Sequence, residues 1–232
     1  MNDRLKQFEH YFLQAINRRL PESKQITNEA GGVVERLIEA YSTPVFGDTP
    51  RLYHTFEHVL DCIQSLVEHR DHLGLSEEGF DALVVAIAYH DIVYDTGNTS
   101  AIDTNEYLSA EFAKHELVSL DLDDGFIEKV HLLIRQTDHK DLLHPDYLCS
   151  VIRDIDLCGM AVDYEVFAER SAQVRAEYAQ YDAETFAKGR IKFMEKLIAD
   201  NKLFYTDYFS KILTEKAIDN VKRHLEELKA KV

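Results

Sequence analysis

Apolar residues along this chain recur three and four positions apart rather than alternating, and only 4 prolines and 9 glycines interrupt them. That period lays a stripe down one face of an α-helix, so the pattern predicts an all-α fold. Helices are expected near 3–20, 28–42, 54–73, 77–93, 103–119, 124–136, 145–160, 163–180, 183–200 and 214–230, with no strand pair. The clearest loops are "STPVFGDTPRLY" (42–53) and "YDTGNTSAIDTN" (94–105), rich in residues that favour turns. Both flank histidine-bearing helices. One stretch departs from the one-sided stripe: "ALVVAIAY" at 82–89 is apolar on nearly every side, which predicts a central, buried helix.

Length and composition narrow the picture. At 232 residues, with 45% hydrophobic and 29% charged side chains, the chain is expected to fold as one domain, 1–232, with a sizeable core. Lys and Arg total 26 against 42 Asp and Glu, a formal charge of −16 that would repel a nucleic acid polymer. A small anion remains admissible where a metal or a few arginines invert the local potential. Cys62, Cys149 and Cys158 have neither CxxC spacing nor an even count, and read as reduced, buried thiols. The N-terminal stretch mixes charge with apolar residues, and the longest apolar run falls far short of the roughly 20 residues a bilayer span needs. A soluble, cytoplasmic protein without a membrane partner is expected; the oligomeric state is not readable.

Three places carry candidate chemistry. In "LYHTFEHVL", His54 and His58 are four apart, a spacing that stacks two imidazoles on one helix face. In "VVAIAYHDIVYD", the pair His90 and Asp91 follows the buried helix, where a carboxylate needs a partner. In "CSVIRDIDLCGM", at about 100° per residue Asp156 falls on the side of Cys149 and Ile152, while Asp154 projects away from that stripe. Asp156 is therefore expected inward and Asp154 outward.

The ordered series H…HD…D in an all-helical chain resembles the HD superfamily of metal-dependent phosphohydrolases. "YHTFEH" is similar to the YHxxxH opening shared with cyclic nucleotide phosphodiesterases, and "AYHDIVYD", "NEYLSA", "DIDLCG" and "VRAEY" resemble an uncharacterised bacterial subgroup. The resemblance covers about residues 50 to 200 and implies an HD-type helical bundle with helical extensions at both ends. It implies His58, His90, Asp91 and Asp156 as ligands of a divalent ion, with Mn, Fe, Co, Ni, Zn and Mg undistinguished, and His54 as general acid. Thr55 follows His54 where the phosphodiesterases carry asparagine, a departure that bears on that last role.

The implied reaction is metal-assisted hydrolysis of a small phosphorylated substrate, such as a nucleotide. Arg175 in "VRAEY" is the favoured phosphate partner over Arg190, for which a solvated helix face is expected. Glu106 is either an orienting carboxylate or a first-turn acid, and Asp95 either a proton acceptor or a turn residue. His139 is expected to touch substrate phosphate or a water on the metal, and His115, His131 and His144 are too weak as candidates to support a second ion. Two alternatives share the fold: a nucleotide-binding module without turnover, and a di-iron oxygenase.

Overall fold

The computed structural model describes residues 3–26, 32–44, 48–139, 144–199 and 203–230. Among these the chain is all-α, with no strand. Ten α-helices follow one another: α1 (Asp3–Asn17), α2 (Val33–Tyr41), α3 (Phe56–His69), α4 (Glu77–Tyr89), α5 (Asn105–Ser119), α6 (Asp124–Arg135), α7 (Tyr147–Leu157), α8 (Tyr164–Glu177), α9 (Ala183–Ile198) and α10 (Asp207–Lys229). Short 3-10 turns lie at Glu22–Lys24 and Cys158–Ala161. Polar side chains start many of the helices by accepting an otherwise orphaned N–H: Ser76 from Gly79, Thr104 from Tyr107, Asp123 from Phe126, Asp182 from Thr185 and Thr206 from Phe209. No described helix is long and apolar enough to cross a membrane.

α4 is the central element. Gly79 through Tyr89 are all buried, as an all-round apolar helix requires, and α1, α3 and α6 pack around it. The chain leaves this helix at His90, so the adjacent His–Asp pair is delivered to the edge of the core.

Two expectations from the sequence are corrected here. α3 begins at Phe56 behind the N-cap Thr55, so His54 lies before the helix and does not share a helical face with His58. Asp154 is not an outward residue: it has no exposed surface. α10 starts at Asp207, seven residues before the expected 214, and the segment entering it covers the face of α7 that a single stripe would leave to solvent. Asp154 accepts the backbone N–H of Tyr205 (2.7 Å) and Thr206 (2.8 Å) and the Thr206 hydroxyl (2.7 Å). Burial pushes its carboxyl up to about 6, against the downward pull of those bonds. Next to it Arg153, also buried, donates through Nε to the Gln136 carbonyl at 2.7 Å. α7 is thus enclosed on most sides, each polar group on its far face having a specific partner.

Candidate metal centre

The backbone around His90 and Asp91 is fixed before any ligand is considered. His90 is 2% exposed, and its Nδ1 lies 2.8 Å from the Ile87 carbonyl, which it meets as an N–H donor; the lone pair is thereby left on Nε2. The Asp91 N–H donates to the Tyr41 hydroxyl. Arg51, buried against the rings of Tyr41 and Tyr94, donates to three carbonyls: Asp91 (2.6 Å), Ile92 (2.8 Å) and His54 (3.2 Å). One guanidinium therefore ties the His–Asp turn to the segment that carries His54. Sequence reading missed Arg51, which sits in a loop with no periodicity to mark it.

His58 enters from the first turn of α3 and Asp156 from the last turn of α7, and their side chains meet those of His90 and Asp91. His58 Nε2 lies 3.2 Å from His90 Nε2, 3.1 Å from Asp156 Oδ1 and 3.8 Å from Asp91 Oδ2. His90 Nε2 lies 3.1 Å from Asp91 Oδ2 and 3.6 Å from Asp156 Oδ1. Donors bound at about 2.1 Å around one ion are separated by roughly 3.0 Å in octahedral and 3.4 Å in tetrahedral geometry. The five separations lie close to the spacing of a single coordination shell, and His58, His90 and Asp91, with Asp156 beside the two imidazoles, fit a divalent ion. Burial disfavours a charged His90, but Asp91 and Asp156 outweigh it and raise its pKa, so proton and metal compete for the same nitrogen.

Cys62 is near as well, its Sγ 3.8 Å from both ring nitrogens of His58. Burial, reinforced by the charge of Asp156, pushes its thiol well above the ordinary value. His139 stands on the other side of Asp156, Nε2 to Oδ2 3.0 Å, so each carboxylate oxygen has its own neighbours. His115 and His144 are exposed, and His131 pairs with Glu111 at 2.8 Å; none of the three joins the cluster.

His54 belongs to a second device. Its Nδ1 is 2.6 Å from Oε2 of Glu177, the last residue of α8, which has no exposed surface. Oε1 of the same carboxylate accepts the backbone N–H groups of Leu52 (2.7 Å), Tyr53 (2.7 Å) and His54 (3.0 Å). Tyr94 stacks on the His54 ring at 4.0 Å and Tyr53 meets it edge-on at 4.9 Å. With Nδ1 taken up by Glu177, Nε2 is left for the cavity that His54 lines. In "VRAEY" the sequence points to the arginine; the glutamate two residues on is the one that reaches the site.

Burial alone would raise the Glu177 carboxyl, but the bonds from His54 and the backbone hold it below the usual value of 4.5. Ionised Glu177 therefore adds stability that is complete above about pH 4.5 and is lost as pH falls through the lower folded value. The difference in melting temperature between wild type and Glu177→Gln should be widest near neutrality and close in acid. A difference that does not change with pH would contradict this.

A cavity of about 580 Å³ opens beside both devices. Asp91, Asp156, His54 and His139 line it, as do Asp95 and Glu106. Asp95 is exposed and its Oδ1 accepts the Gly97 N–H at 2.7 Å, the bond of a turn residue. Burial, with the negative charge of Asp138 and Asp91 added, raises the pKa of Glu106. Arg175 is directed elsewhere: it donates to the carbonyls of Tyr178 (2.9 Å) and Tyr181 (3.0 Å), packs over Phe186 and does not line the cavity. The guanidinium groups at the cavity are Arg170, paired with Asp61 at 2.6 Å, and Arg190. Gly159 leaves room for the first, since a Cβ there would meet Arg170 Nη1 and the Tyr53 hydroxyl, each at 3.1 Å. No protein-family model matches the chain, and comparison with curated proteins finds no match.

Proposed function

We propose that the chain is an HD-type metal-dependent phosphohydrolase that cleaves a small phosphate ester with one divalent ion. The observation carrying this reading is the meeting of the His58, His90, Asp91 and Asp156 donors, 3.1–3.8 Å apart in five pairs, at the wall of a cavity shared with the His54–Glu177 pair. When bound, such an ion lowers the pKa of water toward neutrality and offsets charge on a phosphoryl oxygen. The remaining work falls to side chains. His54 donates a proton from Nε2 to the departing ester oxygen, and the Glu177 carboxylate fixes the ring's orientation. His139 holds the second oxygen of Asp156 and so keeps the first turned toward His58 and His90. Glu106, with its raised pKa, accepts a proton at the cavity. The free thiols, buried at Cys62 and Cys149 and part-buried at Cys158, suit a reducing compartment, and we place the protein in the cytoplasm.

The test is a matrix of metals and phosphate esters on stripped and reloaded protein, read as phosphate release. His54→Ala and Glu177→Gln should keep the ion and lose about 10²–10⁴-fold in turnover. No phosphate from any ester under any metal would overturn the reading and favour a binding module. Elemental analysis should find one ion per chain in both wild type and His139→Ala. Two ions in wild type falling to one in the variant would instead support a dinuclear centre.

A further inference from the structure

Among the described residues, Arg190 is a cation at the acidic cavity that no carboxylate neutralises. Arg190 projects from α9 into the same cavity as the metal ligands and is half-buried. The other arginines around the site are engaged: Arg51 and Arg175 by carbonyls, Arg170 by Asp61. Among the described residues no carboxylate or carbonyl meets Arg190; it lies over the Phe193 ring at 5.3 Å. Burial lowers its pKa, and the groups that act on its charge are the phenols of Tyr94, Tyr53 and Tyr178, with no carboxylate among them. Tyr53 and Tyr94 are the rings that flank His54. Arg190 thus shares the cavity wall with the rings that flank His54.

Keeping a desolvated guanidinium without a counter-ion is costly, and ring faces offset only part of that cost. An incoming anion supplies the missing partner through a charge-assisted, bidentate contact. We propose that Arg190 binds a second anionic group of the substrate, remote from the phosphate at the metal. The substrate class is thus a phosphate ester whose leaving group carries a further carboxylate or phosphate, its body lying along Tyr53, Tyr94 and Tyr178. A cavity of about 580 Å³ admits a molecule of that size. This rests on the phosphoester reading of the metal centre.

Phosphonates test it without turnover. Metal-loaded protein is titrated with benzylphosphonate and with analogues carrying a ring carboxylate directly or on chains of increasing length. The best carboxylated member should bind wild type about ten- to a hundredfold more tightly than benzylphosphonate. Arg190→Gln should erase that ratio while holding the same metal content, and Arg190→Lys should keep part of it. No preference in wild type, or a preference that survives in Arg190→Gln, overturns the proposal. A preference without hydrolysis of any ester would leave this anion site standing and remove the hydrolase; hydrolysis without preference would do the reverse.

Discussion

Replacing Asp156 with alanine is expected to take bound metal from about one ion per chain to near zero, and to take phosphate release down with it. Asp156 Oδ1 is 3.1 Å from His58 Nε2 and 3.6 Å from His90 Nε2, and Oδ2 is 3.0 Å from His139, so its loss removes one donor and unties three imidazoles. His58→Ala, His90→Ala and Asp91→Ala should behave alike, because each supplies one of the four converging atoms. The helical signal should persist, since the Asp156 side chain keeps 19% of its surface exposed and fills no core position. Thermal stability should also lose the increment contributed by the ion, about 4 kcal/mol where metal stands a thousandfold above its dissociation constant. Elemental analysis after dialysis, with far-UV dichroism on the same samples, checks both halves. Full occupancy in any variant removes that residue from the shell.

Asp154→Ala should have an effect of similar size and a different kind. Two residues from a proposed ligand, Asp154 serves the fold: its carboxylate receives two backbone N–H groups and a hydroxyl where the chain enters α10. Alanine leaves those buried donors unpaired and opens the junction between α7 and α10. A loss of about 3–4 kcal/mol is expected, on the order of 10 °C in melting temperature for a chain this long. Metal affinity measured on the protein that remains folded should be close to that of wild type. Unchanged melting with lost metal would reverse the assignments of the two aspartates.

These aspartates show where periodicity informs and where it stops. The apolar run at 82–89 was enough to identify the central helix, because a helix apolar all round has nowhere to go but the core. Asp156 was likewise legible, since a carboxylate on an apolar stripe demands a partner. Asp154 was not, because the segment that covers it lies some fifty residues later, where the expected helix start at 214 missed the Thr206 N-cap. His54 and His58 read as helical neighbours from their spacing alone, yet the helix begins between them. Glu177 and Arg51 act through backbone groups of distant segments, and no local pattern records such a contact. Arg175 and Arg190 were ranked by the motif around them; which of the two guanidinium groups stays uncommitted depends on the turn at Tyr178–Tyr181, whose carbonyls receive Arg175.

The central claim is that one ion is held by two imidazoles and two carboxylates. X-ray absorption on stoichiometrically loaded zinc protein addresses it most directly. The account predicts a first shell of nitrogen and oxygen near 2.0–2.2 Å with the outer scattering of two imidazoles. A sulfur at about 2.3 Å, placing Cys62 in the shell, or the outer scattering of one imidazole or of three, would contradict it.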